Sequence, residues 1–596
     1  MATRAHTARR PALLIALGII ALIGALWYVA PNFLHTIEFN LYDQHFRLRG
    51  PRPPNPQVAI VTIDEVSLGV EGRWPWSRTK LARLVRRLDE AGAASIAFDV
   101  LLNEPEESAE RTVVERLRQR LGARALDAGV RAELEKLLAE ADPDAALAAA
   151  IRDSGRVVLA SNFLFSDGVP TDTPERKGSP MKAAIGVRLA TDPPPSNRGP
   201  AFTNFPDRGV FPPLRARQET FPIPTLLAAA TSIGHVNMIP EFDGSTRYEA
   251  LIIESRGYYY PSLAIEAVRV AAGLDPSTRT VTFGHSVTLG DIVIPTDARS
   301  RVLIDYAGPD GTIPHLPATE VLQGKGLDRV KDRAVFIGAT APGLVDVRVT
   351  PFSAILPGVE KHANVAANLL DRRFIVRPSW FEFVEAATIV LFPVLLALVL
   401  PAMRPYASIA MTVVIWAGLF AAGHYAFRQG QWINLVYPSL ALLLTFIAIT
   451  VYRFFTEERQ RQYTRRAFQQ YVSPEVVEQI MQNPQALQFG GELRNLTVLF
   501  SDIRDFTTFT EKNDPQLVVQ MLREYLTEMT RIVIEEGGTL DKYIGDAVMA
   551  EFGAPIVYPD HALRGCRAAL RMAAEVERLT AKWTAEARSR SASASG

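Results

Sequence analysis

Two aspartates stand where short apolar runs turn. Asp502 follows the run Leu496-Thr-Val-Leu-Phe500 almost directly, and Asp546 sits in the Gly545-Asp546 link between the runs 539–544 and 547–552. A carboxylate at the C-terminal end of a buried strand faces the edge where open sheets place ligands. One in a two-residue hairpin link is free to reach outward. Two such hard oxygen donors can hold a pair of divalent cations against a triphosphate. Lys542 lies four residues before Asp546, and strict alternation puts it on one strand face with Leu540 and Ile544. An ammonium group between two apolar residues suits a flat, polar-edged base.

The elements that must position these groups are legible nearby. Asp514-Pro515 reads as a helix N-cap with proline at N1. Leu517, Val518, Met521, Leu522, Tyr525, Met529, Ile532 and Val533 then recur at helical spacing, and Gly537-Gly538 ends the helix. Each aspartate alone has a plainer reading, as a cap or a solvated turn. Their combination with Lys542 and the run Met549-Ala-Glu-Phe-Gly553 is what points to one chemistry.

These residues resemble the class III nucleotide cyclases, in the adenylate branch, over about 468–580. The resemblance implies an α+β, ferredoxin-like catalytic domain acting as a homodimer on ATP. It implies that Asp502, Asp546 and the backbone carbonyl of Ile503 bind two Mg²⁺ or Mn²⁺ ions, with Asp502 and Asp546 catalytic. Backbone N–H groups after Asp502, at Phe506 and Thr507, would receive phosphate, and Lys542 would read adenine. Asp505 stands where the family often has glycine, adding a carboxylate or capping the next helix. The family also draws a partner for the adenine lysine, an Asn and an Arg from a later half-domain, and none is visible up to Gly596. The expectation is therefore a truncated catalytic domain over 491–588. The small, polar tail 589–596 reads as disordered. Cys566, the single cysteine, is read as structural on an apolar helix face.

The chain has 596 residues, 64 basic against 64 acidic groups and 48% apolar content, which suggests several domains and gives no sign of nucleic-acid binding. Four segments, 11–30, 380–400, 408–427 and 433–455, are long and apolar enough to span a bilayer. Arg4, Arg9 and Arg10 precede the first, and Arg459, Arg461, Arg465 and Arg466 follow the last. The positive-inside rule then places both termini in the cytoplasm of a bacterial inner (plasma) membrane. Residues 1–10 form a cytoplasmic N-terminus, and 31–378 lie outside. That outer region contains no cysteine, so no disulfide holds it.

Within 31–378, apolar runs alternate with helical stretches. Strands are expected at 58–63, 95–98, 157–163, 250–254, 302–306 and 334–337, and a helix at 77–91, which argues an α/β domain. The stretch 104–153 reads as a helical insertion and 166–213 as a long surface loop. The motifs Leu41-Tyr-Asp-Gln-His45, Ile63-Asp64-Glu-Val-Ser67, Trp74-Pro-Trp-Ser-Arg78, Phe98-Asp99 and Phe336-Ile-Gly-Ala-Thr-Ala341 resemble the second type of CHASE extracellular sensor domain. That resemblance implies sensing of an unknown extracytoplasmic ligand. Asp64 and Asp99 each end an apolar run, where they line a pocket or cap the next helix. Gly338 to Gly343 reads as a turn, because it lacks the Lys-Ser/Thr of a phosphate loop. His45, His235, His315 and His362 show no metal-ligand spacing and read as structural.

The last apolar segment continues into a charged stretch without a helix breaker, which predicts one helix carried into linker residues 456–490. Ser473-Pro474 would start a second. The reading is a membrane-bound sensor adenylate cyclase. The alternative is a catalytically incomplete receptor or regulatory subunit. A diguanylate cyclase is disfavoured, because Gly537-Gly-Thr-Leu540 is not that signature.

Overall fold

The computed structural model describes residues 2–106, 142–165, 188–189, 214–256, 258–344, 347–468 and 493–594. It divides into two compact units, residues 1–449 and 450–596.

The first unit is built on strands that are apolar on both faces. We label β1 (Val58–Ile63), β2 (Ser95–Phe98), β3 (Val157–Leu164), β4 (Gln218–Thr220), β5 (Ser232–His235), β6 (Tyr248–Ala250), β7 (Arg301–Leu303), β8 (His315–Pro317) and β9 (Ala334–Ala339). The main sheet runs β8-β1-β9-β2-β3-β4, with β5 also pairing β3. All its pairings are parallel except β3 with β4. Every residue of β1 and β2 is buried, as a sheet covered on both faces requires. The cover comes from four helices: α4 (Arg78–Glu90), α5 (Pro143–Ser154), α6 (Leu263–Ala271) and α7 (Gly358–Asp371). Leu81, Leu84 and Leu88 of α4 and Ile151 of α5 pack with Val61, Ile96, Val335 and Leu159 on one face. Ile265 and Val268 of α6 and Val359 and Ala363 of α7 pack with Ile60, Ala97, Phe336 and Val158 on the other. The domain is thus a three-layer α/β sandwich. Helix α4 starts at an N-cap, Ser77, whose hydroxyl accepts from Lys80 N–H at 3.3 Å.

The strand expected at 250–254 is two strands, β6 and Ile252–Ser255, and that expected at 302–306 is the shorter β7. Of the expected helical insertion, 107–141 lies outside the described residues; its end forms α5, capped by Asp142 through Ala145 N–H at 3.0 Å. Nearly all of the expected loop 166–213 also lies outside them.

Among the described residues, four helices are long and apolar enough to cross a membrane: Arg9–Val29 within α1 (Ala2–Val29), Trp380–Ala402 beginning with α8 (Trp380–Val399), α9 (Pro405–Arg428) and Val436–Thr456 within α10 (Val436–Phe468). Ala12 and Ala16 of α1 pack on Leu396 and Ala397 of α8 and Leu442 and Ile449 of α10. Between α1 and β1, helix α2 (Asn32–Arg49) buries Phe39, Tyr42 and Phe46 against Phe427 and Trp432. Helix α10 continues to Phe468 without a break; the helix expected after Ser473 lies outside the described residues.

The second unit is α+β. Strands β10 (Thr497–Ser501), β11 (Thr539–Ile544) and β12 (Ala547–Phe552) form an antiparallel sheet in the order β10-β12-β11. One face packs on helices α12 (Pro515–Glu535) and α13 (His561–Ala594), through Leu499, Leu540, Val548, Ala550 and Phe552 against Tyr525, Met529, Val533, Met572 and Leu579. Helix α13 runs to Ala594, which corrects the expected disordered tail for 589–594. Ala and Arg are good helix formers, and no Gly or Pro interrupts that stretch. Cys566 is exposed, a second correction. The buried stripe of α13 runs through Gly565, Ala568, Met572 and Leu579, and Cys566 falls one position off it.

Candidate active site

Strand β10 stops at Ser501 and delivers Asp502 into the loop before α11 (Phe506–Lys512). Across the sheet, β11 and β12 are joined by Gly545-Asp546, with Gly545 at φ 68, a left-handed value that glycine takes without strain. Val548 of β12 pairs with Ser501, so the hairpin end lies level with the end of β10. The result is a convergence: Ile503 N–H donates to Asp502 Oδ1 at 3.0 Å and to Asp546 Oδ2 at 3.2 Å. Two carboxylates, one of them 43 residues from the donor, thus share one backbone N–H. Like charges held this close repel, and a divalent cation relieves that repulsion. The donor set fits such an ion. Carboxylates and a backbone carbonyl are hard oxygen ligands of the kind Mg²⁺ and Mn²⁺ take. Beneath the pair, burial raises the pKa of Tyr525, and the charges of Asp546 and Asp502 push it the same way.

Phe506 and Thr507 open the short helix α11. Phe506 stacks on Phe509 with ring centroids 6.5 Å apart, and both line a cavity of about 700 Å³ with Ile503, Met521 and Trp583. Asp505 occupies the N-cap position of α11 at φ 59, ψ 26, and its side chain makes no cap hydrogen bond. The left-handed conformation supplies a physical reason for glycine at this place, and aspartate is among the residues that tolerate it.

Lys542 is where the structure departs from simple alternation. The pairing of β11 with β12 shifts between Leu540 and Lys542: Leu540 faces Ala550 and Lys542 faces Met549. This bulge puts Lys542 and Leu540 on opposite faces, correcting the expectation that they share one. Leu540 enters the core, while Lys542 joins the open face with Ile544. That face also carries Val498 and Phe500, and Val498, Phe500 and Ile544 are 42%, 64% and 51% exposed. The Lys542 ammonium lies 3.3 Å from Asp541.

In the first unit, Asp64 caps the helix Glu65–Glu71 by accepting from Ser67 N–H at 2.8 Å. Strand β9 separates β1 from β2, so Asp64 and Asp99 do not end neighbouring strands. Gly338 lies within β9, where a side chain would collide with Val359 of α7 at 2.5 Å, and Gly343 turns the chain at φ 85. Asp99 instead approaches His362, whose Nε2 lies 3.9 Å from Asp99 Oδ1 and Nδ1 3.7 Å from Glu249 Oε1. Lys361 pairs with the same Glu249. Sequence spacing missed one group altogether. Asp310, His315 and Glu360 bring three potential metal-ligand atoms within 4.8 Å of one another, although His315 and Glu360 come from distant segments.

Comparison with known proteins defines the class of the C-terminal unit first. The adenylate and guanylate cyclase catalytic domain family matches residues 491–587. Adenylate cyclase 1 of Rhizobium meliloti (strain 1021) is 37% identical over 113 residues, which is 18% of this chain and 16% of that protein. The adenylate cyclase of Anabaena cylindrica is 43% identical over 63 residues, 11% of this chain and 12% of that protein. The crystal structure of an adenylyl cyclase from P. aeruginosa is 36% identical over 15% of this chain and 47% of that chain, with a TM-score of 0.15. The chain therefore spans less than a fifth of each of these two curated relatives. The CHASE2 domain family matches residues 15–400, more than half of the chain. The chain belongs to the CHASE2 family, and its residues 491–587, after the membrane-length helices, match the adenylate and guanylate cyclase catalytic domain.

Proposed function

We propose that this protein is a membrane-bound sensor adenylate cyclase, converting ATP to cyclic AMP and pyrophosphate in response to an extracytoplasmic signal. The observation that carries the reading is the convergence of Asp502 and Asp546 on the Ile503 N–H. With the Ile503 carbonyl they would hold two Mg²⁺ or Mn²⁺ ions. Bound there, such ions neutralise triphosphate charge, lower the pKa of the ribose 3′-hydroxyl and stabilise the leaving pyrophosphate. The chain's own residues position the substrate. Asp502 and Asp546 would hold those ions at the triphosphate end, and the amides of Thr507 and Phe506, the latter now donating to the Ile503 carbonyl at 3.4 Å, would receive phosphate oxygens at the start of α11. Lys542 donates to adenine N1, an acceptor, whereas guanine presents a donor there. The open sheet face with Val498, Phe500 and Ile544 supports a homodimer, because an apolar face of this kind calls for a partner. In that arrangement, Lys542 serves the site whose metal carboxylates come from the other protomer. The four helices and flanking arginines support a bacterial inner-membrane location, with the sensor outside and the cyclase domain in the cytoplasm.

The test is Mn²⁺ binding by electron paramagnetic resonance, with cyclic AMP formation from ATP measured on the same membranes. Asp502→Ala and Asp546→Ala are expected to weaken Mn²⁺ binding at least tenfold, because each removes a charged ligand. Unchanged Mn²⁺ binding in both variants would overturn the metal assignment.

A further inference from the structure

The sensor domain meets the end of helix α9 around a cavity of about 260 Å³ lined by Arg49, Asp305, Arg372, Arg373, Phe427 and Arg428, among others. These residues come from four places: the last residue of α2, the segment after β7, the loop after α7, and the last two residues of α9. Four arginines and one carboxylate line the cavity. Asp305 is already engaged, since Arg49 donates to it at 2.5 Å and Arg52 also pairs with it, while Arg373 lies 3.9 Å away. Arg372 pairs with Asp291 at the rim. Arg428 is exposed and makes no ion pair among the described residues. One basic residue at a helix C-terminus is an ordinary complement to the helix dipole, but four around one space exceed that need. Burial lowers the pKa of Arg52 just behind the cavity; attraction to Asp305 opposes this, and repulsion from Arg49 and Arg373 adds to it.

The location narrows the ligand. Helix α9 has 24 residues, enough to cross the hydrocarbon core, so Arg428 stands at headgroup level. Tyr28 and Tyr425, near the C-terminal ends of α1 and α9, and Trp380, at the N-terminal end of α8, are 72%, 68% and 54% exposed, the aromatic signature of a membrane interface. Flanks on the sensor side are ordinarily poor in arginine, so a cluster there calls for a counter-charge. Guanidinium groups match phosphate with paired N–H donors, and the cavity is too small for a bulky ligand. We propose that this cavity binds the phosphate group of an anionic phospholipid headgroup, and so ties the sensor to the lipid around α9. The inference rests on α9 spanning the membrane, not on the cyclase reading.

The experiment is lipid retention by the purified full-length chain, followed by native mass spectrometry from micelles containing phosphatidylglycerol and phosphatidylcholine. The wild type is expected to retain phosphatidylglycerol selectively. Arg428→Gln and Arg373→Gln should each lower that retention about tenfold, the size of one lost charge-assisted hydrogen bond. Arg373 is 54% exposed, so its replacement spares the fold. Arg404→Gln, at the opposite end of α9, should change nothing. Equal retention of the two lipids, or equal loss in Arg404→Gln, overturns the proposal. A second arm adds inorganic phosphate to lipid-free detergent samples and reads the melting temperature. An Arg428-dependent rise there without lipid selectivity would leave a phosphate site but overturn the lipid as its source.

Discussion

Asp505 shows how a single dihedral angle separates chemistry from conformation. At φ 59 it occupies backbone space that glycine enters freely, aspartate tolerates, and a β-branched residue avoids at a cost of about 1–2 kcal/mol. Asp505→Gly is therefore expected to leave the loop before α11 as stable as it is, whereas Asp505→Val should loosen it by roughly that amount. Hydrogen exchange of the amides from Ile503 to Lys512 reads the difference. Equal protection in Val and Asp forms would mean that the left-handed turn is not populated. The residues that hold the site were legible because each is tied to a local signal. Asp546 sits in a Gly-Asp link of the kind a tight hairpin favours, and Asp514-Pro515 announces α12, where Asp514 accepts from Gln516 and Leu517 N–H. The meeting of both carboxylates on one N–H was not legible. It depends on the register of β10 against β12, which no local pattern encodes.

At the scale of elements, the failures of sequence reading share a cause. Alternation put Lys542 and Leu540 on one face, and a bulge one residue long reversed that. The order of strands hid β9 between β1 and β2, because parallel strands are joined through long crossovers. His235, at the end of β5, looked merely structural, yet the fold buries it beside Glu249, Lys361 and His362. Burial, the largest cause, lowers its pKa from 6.5 to about 3; Lys361 and His362 push the same way and Glu249 opposes them. Its proton is thus bound more readily by the unfolded chain. The stability that comes from a neutral His235 is present above pH 6.5 and is lost as pH falls from there toward 3. The slope is on the order of 1 kcal/mol per pH unit. Glu249, held at about 2 chiefly against burial by Lys361, loses its contribution only below its ordinary 4.5. Of these two shifts, only that of His235 acts between pH 7 and 5. Exchange protection of Ser232–His235, corrected for intrinsic rates, is expected to fall over that interval in wild type and to stay flat in His235→Leu. A wild type as flat as the variant would remove the buried neutral histidine from the account.

For the whole molecule, sidedness follows from counting crossings. If the four membrane-length helices found among the described residues all cross, the sensor domain lies on one side and everything after α10 on the other, with the arginines flanking the first and last helices on the inner side. The unbroken course of α10 from Val436 to Phe468 carries the chain from the last crossing into the charged stretch. The exposure of Cys566, the chain's single cysteine, turns this topology into a direct measurement. In intact cells a membrane-impermeant maleimide should leave Cys566 unlabelled, and lysis should expose it. Lys325, exposed in the turn before β9, offers the opposite report. A Lys325→Cys variant in a Cys566→Ser background should label fully before lysis. A surface exchange of this kind costs within about 0.5 kcal/mol, so the fold survives it. Labelling of both positions before lysis, or of both only after it, would place the two domains on one side. Helices α8, α9 and α10 lie between the two domains, so an even number of these three would then cross, and one or all of them would lie along or outside the bilayer.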